Sequence, residues 1–173
     1  MSDLFLRRLT ADDEFSAQQA HAELSAEDSS FLVEPVGDLG WRSYVELLSD
    51  IEHGRTAGRW ETVEEVFRVA VVADEVVGRV AIKPTLTPWL AEVGGHIGYA
   101  VRPGHRRKGH ATEILRQSLA TVAAFGVDRA LLTCEEDNVG SSRTIEACGG
   151  TLLETRWVED EGIWLRRYEV RTS

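Results

Sequence analysis

The stretch Tyr99-Ala100-Val101-Arg102-Pro103-Gly104-His105-Arg106-Arg107-Lys108-Gly109-His110-Ala111 decides how the rest of the chain is read. An apolar run, Gly95 to Arg102, enters it. A Pro-Gly break follows, then Arg106, Arg107 and Lys108, ending on Gly109. A long amphipathic pattern leaves from Ala111. A strand feeding a basic, glycine-containing turn that opens a helix is a device for holding phosphates. The N–H groups of the turn and first helical turn point at the anion, and the helix dipole favours negative charge there.

Downstream the pattern is regular. Ala111 to Phe125 is the strongest predicted helix, with Ile114, Leu115, Leu119 and Val122 as its buried stripe and Gly126 as its stop. Arg129 to Cys134 reads as a buried strand. Asp137-Asn138 offers a cap for a short helix through Ala147, closed by Cys148-Gly149-Gly150. Thr151 to Val158 and Ile163 to Val170 form a predicted hairpin around Asp160-Glu161-Gly162.

Upstream, Leu4 to Leu9 is a predicted strand. Thr10 and Asp13 suit a capping box for a helix to Leu24, with Phe15, Ala20 and Leu24 as apolar markers. Ser25 to Gly40 is polar and turn-rich. Trp41, Tyr44, Val45, Leu48 and Ile51 then mark one face of a second helix, ending near Gly54. His53 to Glu61 reads as a loop on the ligand side. Val66 to Ala73 and Val76 to Ile82 are β-branched runs that predict a hairpin around Asp74-Glu75, and Gly78 inside the second run points to a bulge or a close backbone approach. Pro84 to Leu90 is a break. The apolar end of the Gly95–Arg102 strand predicts burial on both faces. No internal repeat, linker or low-complexity tract divides the 173 residues, so one α/β domain is expected.

The formal net charge of −10, from 29 acidic and 19 basic residues, argues against a general nucleic-acid or anionic-membrane binder. Against that background Arg102, Arg106, Arg107 and Lys108 form a basic island suited to one anionic ligand. No apolar run reaches the length of a membrane span, and the N-terminus has no signal-peptide pattern. The two cysteines, Cys134 and Cys148, fit neither a disulfide framework nor a metal-ligand spacing, and a reducing, cytoplasmic setting is expected.

Alone, Arg-x-x-Gly-x-Ala matches many surface loops. Here a strand precedes it, a helix follows, a buried strand then ends in Glu135-Glu136-Asp137-Asn138, and a short helix ends in Gly149-Gly150. That ordered set resembles the GCN5-related N-acetyltransferase (GNAT) superfamily, and Gly94-Gly95-His96-Ile97-Gly98-Tyr99 looks like a bacterial subgroup of it. The match is specific from about Gly94 to Leu153.

The resemblance implies a mixed, mostly antiparallel sheet flanked by helices, in which the Gly95–Arg102 and Arg129–Cys134 strands run parallel and splay apart. Acetyl-CoA would enter that wedge. Tyr99, Ala100 and Val101 would offer backbone groups to pantetheine, as an added strand would. Arg106, Arg107, Lys108, Gly109, His110, Ala111 and Thr112 would hold the pyrophosphate. Asn138 and Ser141 would also face CoA, with Ser142 beside them, while Asn138 equally suits a helix cap.

The implied reaction is direct acetyl transfer to an amine. An alternative is an acyl-CoA sensor or interaction module with little catalysis. The tyrosine acid that many members carry seven residues after the asparagine is Ile145 here, so Cys148 or water would replace it. No carboxylate occupies the strand before the turn. His96, whose intrinsic pKa suits base work, stands beside the reading of a backbone-satisfied histidine. Glu135 and Asp137, acting through water, stand beside the reading of a solvated strand end. His105 and His110 lack a third ligand, so no metal is expected. Cys134 reads as an inert buried thiol. The acceptor, a small-molecule or peptide amine, would meet the loops near Trp41, Trp60 and Trp89, where indoles can frame a cation. Trp157, Trp164 and Tyr168 suggest a homodimer interface. Nucleotide-binding glycine patterns of other folds are absent.

Overall fold

The computed structural model describes residues 3–27, 29–32, 39–55 and 64–172. In chain order its elements are β1 (Phe5–Arg7), α1 (Glu14–Ser25), α2 (Trp41–Glu52), β2 (Val66–Val72), β3 (Glu75–Ile82), β4 (Ile97–Val101), α3 (His110–Ala124), β5 (Arg129–Glu135), α4 (Val139–Ala147), β6 (Thr151–Val158) and β7 (Ile163–Arg171). One sheet has the order β1-β2-β3-β4, the other β5-β7-β6. The chain forms two compact units: unit 1 is Met1–Ala81 with Tyr99–Ile114, and unit 2 is Ile82–Gly98 with Leu115–Ser173.

In unit 1 the β-branched runs fold as the tight hairpin expected of them. Ala73 and Asp74 take left-handed backbone, φ 47° and 63°, as a two-residue primed turn requires. Val69 and Val71 on β2 face a core that includes Ala17, Ala20 and Leu24 of α1 and Tyr44 and Leu48 of α2. Each large apolar side chain buried there contributes about 1.5–3 kcal/mol relative to exposure. Phe15 is a correction: it is 80% exposed, and Ala17, Ala20 and Leu24 carry the buried face of α1 instead. The capping box holds, since Asp13 Oδ2 accepts from the Thr10 N–H and hydroxyl, both at 2.8 Å. Gly78 marks a close approach: a Cβ there would sit 2.6 Å from the Ala100 carbonyl oxygen. Most of the predicted His53–Glu61 loop, and Trp60 with it, lies outside the described residues.

Unit 2 is built on an antiparallel sheet in which β7 pairs with both β5 and β6. Tyr168 of β7 is fully buried and donates its hydroxyl to Glu146 at 3.3 Å, so it is core and no part of an exposed aromatic surface. Leu119 and Val122 of α3 are buried as the sequence predicts. The predicted break, Pro84 to Leu90, runs into a wide helical turn, Leu90–Gly94. Beyond it Gly95 meets Leu132 of β5 at an isolated bridge of the antiparallel type. β4 and β5 therefore belong to different sheets, and this bridge, not a parallel ladder, is the pairing seen between the Gly95–Arg102 segment and β5 among the described residues. The mixed α/β architecture with antiparallel sheets flanked by helices is as expected. β4 itself is buried at Ile97 and Val101 and half-buried between them.

Candidate functional site

In unit 1 the chain leaves β4 at Val101, makes a short turn over Pro103–His105, and reaches α3 through Arg106 to Gly109. Arg107 and Gly109 both take left-handed backbone, φ 61° and 81°. Left-handed residues in such a turn collect N–H groups on one concave side, which is how backbone holds an anion. Among the described residues, no acceptor engages the N–H groups of Arg107, Lys108 or Gly109. The first helical bond runs from Glu113 N–H to Gly109 O, 3.1 Å, so the dipole of α3 starts at this turn. A Cβ built on Gly109 meets nothing within 4 Å. The space in front of the turn is therefore open, and the residues present fit a phosphate-bearing ligand.

The basic side chains divide in a way the sequence does not show. Arg102 is 6% exposed and turned inward. Its Nε and Nη2 reach Glu23 at 2.9 and 2.7 Å, and its Nη1 donates to Val76 O at 2.9 Å. It braces the unit and drops out of the expected basic island. Arg106 donates to Glu27 (2.6 Å) and to the Val101 carbonyl (3.1 Å), and Lys108 to the Gly104 carbonyl (3.1 Å). Arg107 alone of the three is exposed with no partner among the described residues. His105 lies 3.2 Å from Glu75. His110 is buried at the start of α3, and its Nδ1 has no partner. Burial, with His105 and Lys108 adding to it, pushes its imidazole down, so it is a neutral ring in the turn. Ala111 and Thr112 are half-buried on the first turn of α3.

In unit 2 His96 accepts a 2.9 Å hydrogen bond at Nδ1 from the Leu131 N–H, while its own N–H donates to Leu131 O at 2.7 Å. Burial pushes this imidazole down. A neutral ring that accepts at Nδ1 carries its proton on Nε2 and has no lone pair left for a substrate proton. The geometry is that of the backbone-satisfied histidine. Glu135 ends β5 with an exposed side chain, and no partner among the described residues engages it.

Asn138 caps α4, its Oδ1 accepting from the Ser141 N–H at 3.0 Å. Ser142 is buried against Cys134, with Oγ and Sγ 3.4 Å apart. Burial pushes the Cys134 thiol up despite that contact, which disfavours a thiolate nucleophile. Ile145 is 1% exposed, so the place of the usual tyrosine is filled by core. Trp41 is a packing residue of unit 1: its ring lies against Tyr44, centroids 5.6 Å apart, and its Nε1 donates to Thr10 O. Among the described residues, no group of three histidines, cysteines or carboxylates is placed to hold a metal ion, and no helix is long and apolar enough to cross a membrane.

These features are a turn that fits a phosphate-bearing ligand, on a mixed α/β scaffold. The family model for the acetyltransferase (GNAT) domain matches residues 3–151. The chain belongs to that family and is an acyltransferase. Similar solved structures include Mycobacterium smegmatis RimJ in complex with CoA-disulfide (TM-score 0.67, 18% identity, covering 97% of this chain and 81% of that one). Another is yncA from Salmonella typhimurium with acetyl-CoA (0.63, 12%, covering 98% and 94%). A third is RimL, a ribosomal L7/L12 alpha-N-protein acetyltransferase in its apo form (0.69, 15%, covering 97% and 92%). At these identities the likeness is one of fold. Among curated sequences none matches the chain significantly.

Proposed function

We propose that the protein moves the acetyl group of acetyl-CoA directly to an amine, with both units forming one acetyltransferase domain. The observation that carries this reading is the run of N–H groups without acceptors, Arg107 to Gly109, set immediately before the first turn of α3. That run, with His110, Ala111 and Thr112, receives the pyrophosphate through backbone. Arg106 and Lys108 act by bracing the turn from behind, and Arg107 meets the phosphates with its side chain. The backbone of Tyr99, Ala100 and Val101 receives the pantetheine arm. Asn138 and Ser141 remain CoA contacts on the strength of the resemblance.

The amine nitrogen attacks the thioester carbonyl carbon, the carbon–sulfur bond breaks, and the thiolate leaves. The attacking amine must first lose a proton, because an ammonium of pKa about 10.4 has no lone pair. Glu135, acting through water, is a better base than His96, which already uses its Nδ1 on the backbone. A strand N–H near Val101 stabilises the tetrahedral oxyanion. With Ile145 in the core, water protonates the departing sulfur, which a thiol pKa near 8.5 makes tolerable. The acceptor class is a cationic amine, in keeping with the net charge of −10. The half-exposed Trp157 and Trp164 suit a contact between two copies of the chain, and a cytoplasmic setting suits the free thiols.

Calorimetric titration with acetyl-CoA, beside adenosine 3′,5′-bisphosphate, tests the reading. Binding that needs the pyrophosphate and pantetheine supports it. No binding at high micromolar ligand makes the turn an ordinary loop.

A further inference from the structure

Unit 2 holds an open cavity of about 390 Å³. It lies between the segment Pro88–Val93, ahead of β4, and the end of the β6–β7 hairpin from Arg156 to Glu161. This volume suits a small ligand or one extended chain, and is far too small for a folded partner. Its lining combines two features, exposed indoles and a cluster of carboxylates. Trp89 and Trp157 present indoles that are 57% and 46% exposed. Around them stand Glu92, Glu159, Asp160 and Glu161, against a single guanidinium, Arg156.

The carboxylates are not equivalent. Glu92 is neutralised in place by Arg156, which also donates to the Glu92 carbonyl at 2.9 Å. Glu159 accepts from Trp157 Nε1 at 2.6 Å, and Trp164 lies against the same indole, ring centroids 5.9 Å apart. Trp157 is thus fixed from two sides and offers a set ring rather than a swinging one. Asp160 and Glu161 have no side-chain partner among the described residues. They sit in the turn ending at Gly162, whose N–H donates to Val158 O at 2.8 Å. The cavity therefore keeps uncompensated negative charge beside two aromatic faces.

We propose that this cavity binds a small aliphatic polyamine, and that it selects such a molecule as the acetyl acceptor. The assignment rests on the transfer reaction above and names its substrate class. Ammonium groups are drawn both to carboxylates and to indole faces, and a methylene stem packs on the same indoles. A monoamine satisfies one such group and leaves the remaining charge unmet; a diamine or triamine meets it. Acetylation removes one positive charge from the acceptor, so the product binds this lining less tightly than the substrate and leaves.

The test is a titration of the full chain with 1,4-diaminobutane, with butylamine as the monoamine control, read by calorimetry and tryptophan emission. Acetyl-CoA is titrated in parallel. The diamine should bind about tenfold or more tightly than the monoamine, and the preference should shrink at high salt. The double variant D160N/E161Q, confined to an exposed turn, should lose at least about tenfold in diamine affinity with acetyl-CoA affinity unchanged. Trp89→Leu should weaken the diamine by about two- to fivefold, the scale of one exposed cation–π contact. Equal affinity for the two amines, or a diamine affinity untouched by D160N/E161Q, overturns the proposal. Tighter binding of a trilysine peptide than of the diamine also overturns it, in favour of a peptide acceptor. Acetyl-CoA binding without diamine binding removes the cavity and leaves the transfer reading intact. Diamine binding without acetyl-CoA binding removes the transfer reading and, with it, the acceptor role.

Discussion

Arg102 and Glu23 are joined by two hydrogen bonds, 2.9 and 2.7 Å, across 79 residues of sequence. The pair ties the end of β4 to α1, one residue before the Pro103–His105 turn begins. Because Arg102 is nearly inaccessible, Glu23→Ala would leave a buried cation with only the Val76 carbonyl and a Glu75 oxygen 3.8 Å away. The expected loss is about 2 kcal/mol, because the charge left on Arg102 is buried although Glu23 itself is partly exposed. Urea denaturation of the variant measures it, with the midpoint falling at constant slope.

Acid should unfold the protein through the same kind of contact. Burial by itself would raise the Glu52 carboxyl, but hydrogen bonds from Arg68 and Arg8 outweigh it and hold the group at about 2. Glu23 and Asp13 are also held below their ordinary values; Arg102 does this for Glu23, and Arg7 and Thr10 overcome burial at Asp13. A carboxyl depressed in the folded state binds fewer protons there than in the unfolded chain. Its stabilisation is present above pH 4.5, the ordinary value, and is lost as pH falls toward 2. Thermal midpoints between pH 5 and 2 should fall, and E52Q should flatten the slope.

Gly109→Asp bears on the turn itself. Its φ of 81° is unfavourable for a side chain, and a Cβ with a carboxylate would project into open space where an anion is expected. Acetyl-CoA affinity should drop by at least about a hundredfold, a change of roughly 2.7 kcal/mol. Far-ultraviolet circular dichroism should be retained. Unchanged affinity would displace the site from this turn.

The base assignment separates by kinetics. Glu135→Gln should lower kcat about a hundredfold, the lower end for general base catalysis, with little change in KM for acetyl-CoA. His96→Asn should instead lower stability by about 1 kcal/mol, one lost hydrogen bond, and leave the pH profile of kcat in place. A profile that loses its acidic limb in H96N would restore the histidine as base.

The turn and the helix after it were readable because their signals are local. Ile114, Leu115, Leu119 and Val122 repeat at helical spacing, and all are buried. The Asp74 hairpin and the Asn138 cap are equally short-range. What the sequence hid depends on partners far along the chain. Arg102 looked like a ligand for an anion because Glu23 is 79 residues away. His96 looked like a base because the Leu131 amide that occupies it is 35 residues on. Phe15 misleads because α1 has little amphipathic bias, and small alanines do the packing expected of its one aromatic. Of the two described tryptophans near the predicted loops, Trp41 packs on Tyr44 and Trp89 lines a cavity. Its companion Trp157 comes from the β6–β7 hairpin, whose exposed indoles the sequence marks as an assembly surface.

Arg107 holds a left-handed backbone, φ 61°, that glycine would adopt at no steric penalty. An ordinary side chain there raises the energy of the folded state by about 1 kcal/mol or more. The residue that destabilises the turn is also the one basic side chain of the three without a partner among the described residues. Selection for thermal tolerance alone would drift toward glycine at this position and relax the chain. Selection for donor capture would keep the arginine and accept the strain. On the proposed reading, the turn is a point where durability and affinity pull one codon in opposite directions.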